Sequence, residues 1–103
     1  MKASVNKMTS KQRAYLRGLA NTLEPIFQVG KSGISKNLII QLNDALEARE
    51  LIKISVLETA PAKAREIGEE IAISTNSILV QTVGSKITLY KPNKKKPRII
   101  LPI

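Results

Sequence analysis

Gly30-Lys31-Ser32-Gly33 is the stretch in which residue types and spacing most directly suggest chemistry. A nucleotide-binding P-loop needs a glycine five positions before its Gly-Lys-Ser; that position is Pro25, so the turn is too short to wrap a triphosphate. The alternative is a GxxG loop between a strand and a helix, an arrangement that clamps a nucleic-acid backbone. Glycines at both ends permit positive φ and close approach of a sugar–phosphate chain, Lys31 supplies charge, and the amides opening the following helix favour an anion. The same four residues also suit a tight turn that needs glycine for geometry alone, and the loop by itself leaves both readings open.

Charge placement favours the anion. No acid precedes Glu24, whereas Lys2, Lys7, Lys11, Arg13 and Arg17 do; none follows Glu70, whereas Lys86, Lys91, Lys94, Lys95, Lys96 and Arg98 do. A formal net charge of +9 opposes compaction through self-repulsion and therefore points to an anionic partner. Arg13 and Arg17 stand one helical turn apart, away from Leu16 and Leu19, and are expected to form an exposed basic face free of acids. No apolar run approaches the roughly 18 residues that span a bilayer, and MKASVNKMTS lacks the apolar segment of a signal peptide, so a cytoplasmic protein without a membrane partner is expected.

Cysteine and histidine are both absent, which removes disulfides, the common zinc sites and most nucleophile–base pairs. The acids Glu24, Asp44, Glu47, Glu50, Glu58, Glu66, Glu69 and Glu70 sit mainly in segments that read as amphipathic helices, where carboxylates form a solvated face. No catalytic residue, metal, cofactor or small-molecule substrate is expected. Of the aromatics Tyr15, Phe27 and Tyr90, only Tyr90 could stand on an exposed strand face, so recognition should rest on backbone and shape rather than base stacking.

The elements that must position these groups follow from local signals. Thr9 and Gln12 have capping-box spacing, and Tyr15, Leu16, Leu19 and Leu23 recur at helical intervals, giving a helix from Ser10 to Ala20. Pro25 ends helical geometry, and Ile26-Phe27-Gln28-Val29 reads as a short buried strand. Ser35 caps a second helix, with Ile34 and Ile39 as a hydrophobic staple and Leu38, Leu42, Ala45, Leu46 and Arg49 as its stripe. Leu51 to Leu57 alternates, with Ile52, Ile54 and Val56 on one side.

Pro61 suits the first turn of a third helix striped by Ala64, Ile67, Ile71 and Thr75 and stopped by Asn76. Ser77–Val83 and Lys86–Tyr90 flank Gly84-Ser85, which suits a type II′ hairpin. The order α-β-α-β-α-β-β contains two β-α-β crossovers and predicts a two-layer α/β sandwich, a mixed four-stranded sheet with three helices. One domain is expected over residues 1–103, with a basic tail at 91–103 whose Ile99, Ile100 and Leu101 dock again.

Four stretches together resemble the CRM domain family (chloroplast RNA splicing and ribosome maturation) in its stand-alone bacterial YhbY-like form. They are Lys11–Ala20, Val29–Ser35, Ala45–Lys53 and Val80–Lys91. The resemblance covers nearly the whole chain. It implies RNA binding with the GxxG loop as a contact element, and association with precursors of the large ribosomal subunit. It maps loop glycines onto Gly30 and Gly33, the intervening basic position onto Lys31 beside Ser32, and a basic helix onto Lys11, Arg13 and Arg17. Lys94, Lys95 and Lys96 make the tail richer in lysine than the family needs, and they join the expected RNA contacts. Two other readings of the charge are a DNA-binding or nucleoid protein, which should bind duplex DNA as well as RNA, and an adaptor for acidic proteins, whose binding nuclease would not abolish.

Overall fold

A computed structural model describes residues 8–103; Lys2 and Lys7 lie outside them. The expected order is found as α1 (Ser10–Ala20), β1 (Phe27–Val29), α2 (Lys36–Arg49), β2 (Leu51–Val56), α3 (Ala64–Thr75), β3 (Ile78–Val83) and β4 (Lys86–Tyr90). The strands form one mixed sheet in the order β1-β2-β4-β3.

Caps fix the helix starts. Thr9 Oγ1 accepts the Gln12 N–H at 3.0 Å while Gln12 Oε1 accepts the Thr9 N–H at 3.2 Å. Ser35 Oγ accepts the Leu38 N–H at 3.0 Å, a contact whose loss costs about 1 kcal/mol. Helix α3 begins later than expected, because Lys63 is still extended at φ −72° and ψ 158°. Pro61 therefore lies in the preceding loop rather than in the first turn. Glu66 Oε1 accepts the Lys63 N–H at 3.3 Å, and Asn76 ends the helix in the left-handed conformation at φ 56°.

Strands β1 and β2 pair in parallel around α2, with Phe27 opposite Ile54 and Val29 opposite Val56. The second crossover is also parallel but skips a strand. Strand β3 runs in the direction of β2, yet β4 lies between them and is antiparallel to both. The cause is the hairpin: with only Gly84 and Ser85 between them, β3 and β4 must be neighbours, and β4 takes the place beside β2. Gly84 has φ 59° and Ser85 is not in the positive-φ region, as a type II′ turn requires.

Alternation along the strands divides the core. Ile52, Ile54, Val56, Ile87 and Leu89 meet Leu42 and Leu46 of α2 and Ile67 and Ile71 of α3, which forms the expected α/β sandwich, although α1 on the other face makes three layers where two were expected. On the reverse face, Leu51, Ile78, Val80 and Tyr90 pack against Leu16 and Ala20 of α1, with Leu23, Ile99 and Leu101 at the margin. Each buried Leu or Ile contributes about 1.5–3 kcal/mol. The apolar stripe of α1 is narrower than its spacing suggests, since Tyr15 and Leu19 are partly exposed. Arg49 is exposed rather than part of the α2 stripe, and β1 is an edge strand in which only Val29 is buried.

Candidate nucleic-acid interface

The Gly30–Gly33 segment closes as one turn, in which the Gly33 N–H donates to the Gly30 carbonyl at 2.9 Å. Lys31 and Ser32 occupy its exposed corners. Gly33 adopts φ 68°, and a Cβ built there would lie 3.0 Å from Pro61 Cγ, so glycine meets both a conformational and a steric demand. Gly30 has neither; its imagined Cβ would meet Leu57 Cδ1 at 3.4 Å, an ordinary contact. The turn is seated on the loop between β2 and α3 and delivers the chain to the start of α2.

That start is electropositive. The first turn of α2 contains no acid and opens with Lys36, which adds to the positive end of the helix dipole instead of offsetting it. The sheet brings further lysines to the same end. Lys63 precedes α3, and Lys86 pairs with Ser55 near the end of β2. Sequence reasoning missed Lys36 and Lys63; the signal available was a lysine at a helix start where an acid is favoured. The exposed Glu58 shares this end of the molecule.

Helix α1 lies on the opposite face of the sheet. Its basic residues do not form the single face expected. Arg13 is half-buried, and its Nη1 donates to the Leu79 carbonyl at 3.0 Å and the Val80 carbonyl at 2.7 Å. These carbonyls flank the β-bulge where the β3–β4 register skips from Leu79 to Gln81. Arg17 and Lys11 are exposed, but the helical repeat places Lys11 about 160° from Arg13 and about 120° from Arg17.

The lysine-rich tail forms a third patch, and a buried acid organises it. Glu50 was expected among solvated helix carboxylates; instead it is 0% exposed. It ends α2 at φ 67°, a conformation unusual for a residue with a side chain. Its Oε2 accepts the Asn93 N–H at 2.6 Å, and its Oε1 accepts the N–H groups of Arg98 at 2.8 Å and Ile99 at 2.7 Å. Burial alone would raise the pKa of this carboxyl; the amides of Asn93, Ile99 and Arg98, with the Arg98 charge, outweigh it and hold the group below the usual carboxylate range.

Asn93 completes the loop: its Oδ1 accepts from the Lys95 and Lys96 amides at 3.0 and 3.1 Å, and its Nδ2 donates to the Glu47 carbonyl at 2.9 Å. Lys94, Lys95 and Lys96 are exposed, and the sole ion pair among the described residues is Arg65–Glu69, far along the chain from them. Of the expected docking residues, Ile99 and Leu101 join the core and Ile100 stays exposed.

The expected site residues thus lie in separate patches. The glycine turn and the lysine loop stand at opposite ends of α2, whose 14 residues span about 21 Å. Tyr90 is buried in the core, where desolvation and then the Glu50 charge raise its pKa, so it offers no stacking surface.

A small mixed sheet with a GxxG turn leading into α2 defines a class with a family model to match: the chain belongs to the CRS1/YhbY (CRM) domain family, matched over residues 8–91. It is 47% identical over 95 residues to Bacillus subtilis YqeI, named as a probable RNA-binding protein, which covers 92% of this chain and 99% of that one. A Methanocaldococcus jannaschii protein, also named as a probable RNA-binding protein, is 36% identical over 101 residues, covering 89% of this chain and 75% of that one. A Staphylococcus aureus solution structure, described as that of a hypothetical protein and candidate RNA-binding protein, matches with a TM-score of 0.77. Its identity is 46%, covering 92% of this chain and 99% of that one.

Proposed function

We propose that this protein binds ribosomal RNA through its phosphate backbone and acts, without catalysis, as a cytoplasmic assembly factor of the large ribosomal subunit. The observation that carries the RNA reading is the acid-free start of α2, where Lys31, Lys36 and the helix amides meet an exposed turn. Such an end favours an anion, and the naming of family relatives as RNA-binding supports RNA over other polyanions. The assembly role rests on the family resemblance.

The test uses two exposed corners of the turn, which alter charge with little demand on the fold. Lys31→Ala should weaken binding to deproteinised large-subunit RNA modestly and lower the salt slope by about one or less. Ser32→Asp should weaken it further by repulsion. Unchanged affinity in both would reduce the turn to geometry. Equal affinity for duplex DNA in competition would favour the nucleoid reading, and nuclease-resistant association with acidic proteins would favour the adaptor.

A further inference from the structure

Glu50 combines two costs that a glycine would avoid. A carboxylate held out of water needs several donors to offset its desolvation, and a non-glycine residue at φ 67° is strained. The side-chain oxygens bond only to Asn93, Arg98 and Ile99, the residues that bracket the lysine run. One carboxylate therefore draws both ends of the run to a single point and closes it into a loop, with Asn93 turning the backbone inside.

Building on the RNA reading, we propose that Glu50 is a positioning residue for RNA: it holds Asn93–Arg98 as a preformed loop that presents Lys94, Lys95 and Lys96 together to neighbouring phosphates. A free tail of the same composition would have to lose backbone entropy on binding. Ordering the loop beforehand removes that cost from the binding step. The acid thus strengthens binding to a polyanion despite its own sign. The nearby exposed Glu47 contributes its backbone carbonyl to the loop, through Asn93.

The opposing signs make the proposal testable. Glu50→Gly relieves the backbone strain and removes the clasp; Glu50→Gln keeps the shape, removes the charge and leaves one amide oxygen to accept, its NH2 facing a backbone N–H in place of the other acceptor. Affinity for deproteinised large-subunit RNA is measured for both, for a Lys94→Ala, Lys95→Ala, Lys96→Ala variant, and for that variant combined with Glu50→Gly. Hydrogen exchange follows the amides of Asn93, Arg98 and Ile99. The expected result is a loss of about fivefold to tenfold for Glu50→Gly, a smaller loss for Glu50→Gln, and rapid exchange of the three amides while β2 stays protected. Substituting the lysines should cost little once Glu50 is glycine.

Simple charge removal predicts tighter binding by Glu50→Gly, and that result overturns the proposal. So does an equal cost of the lysine substitutions in both backgrounds. If Lys31→Ala and Ser32→Asp weaken binding while every Glu50 and lysine-run variant binds like the wild type, the RNA reading stands and this inference falls. If the wild type does not bind RNA, both fall.

Discussion

Lys31, Ser32 and Gly33 are neighbours with separable roles. At Gly33 a side chain would require strained backbone and displace Pro61, so Gly33→Ala should lower stability by about 1–3 kcal/mol in urea denaturation, whatever it does to RNA. Gly33→Asp would mix that loss with repulsion, whereas Ser32→Asp isolates the charge. Glu50 gives a pH prediction. Its folded pKa lies below the unfolded value, so its contribution is present above the unfolded carboxylate range and is lost as pH falls through the folded pKa. The urea midpoint of the wild type should therefore fall more steeply than that of Glu50→Gln on going from pH 6 to about pH 3. The glycine turn could be read from sequence because its geometry is local. The burial of Glu50 could not: its donors lie 43, 48 and 49 residues away, and nothing near Glu50 distinguishes it from Glu47.

Among the elements, β3 is an edge strand whose carbonyls at the bulge accept from a distant arginine. Arg13→Ala removes two charge-assisted bonds to the Leu79 and Val80 carbonyls and should destabilise the protein by about 2–3 kcal/mol in thermal or chemical melts. Its effect on the RNA salt slope should be smaller than that of Lys31→Ala. Arg17→Ala, at an exposed position, should scarcely move the melting temperature. Helix starts at Ser10 and Lys36 were legible because Thr9 and Ser35 cap through residues three positions on. The hairpin was legible from Gly84-Ser85. The division of helices between the two sheet faces was not, since Leu16 and Leu42 look alike until strand alternation assigns them to different cores. The same limit hid the role of Arg13, which helical spacing alone places on an exposed face.

Across the whole molecule, basic patches lie on both sheet faces and at both ends of α2, so the proposed RNA contact would extend beyond one loop. If four to seven of Lys11, Arg17, Lys31, Lys36, Lys94, Lys95 and Lys96 meet a phosphate, the logarithmic salt slope for single-stranded RNA should lie at about −3 to −5. A slope near zero would count against all of them. The proposed assembly role predicts co-sedimentation with precursor large subunits and scarcity on translating ribosomes; even distribution on mature ribosomes would overturn it. The placement of β4 has a consequence for biosynthesis. Ribosomes deliver strands in sequence order, but this sheet inserts its fourth strand between the second and third. A nascent chain that has emerged only as far as Val83 can pair β1 with β2, while β3 has no neighbouring strand and the apolar side chains of β2 lack Ile87 and Leu89 beside them. The sheet can close only once Tyr90 is out, and the clasp on Glu50 only after Ile99, so chains stalled between these points should remain sensitive to protease and attractive to chaperones.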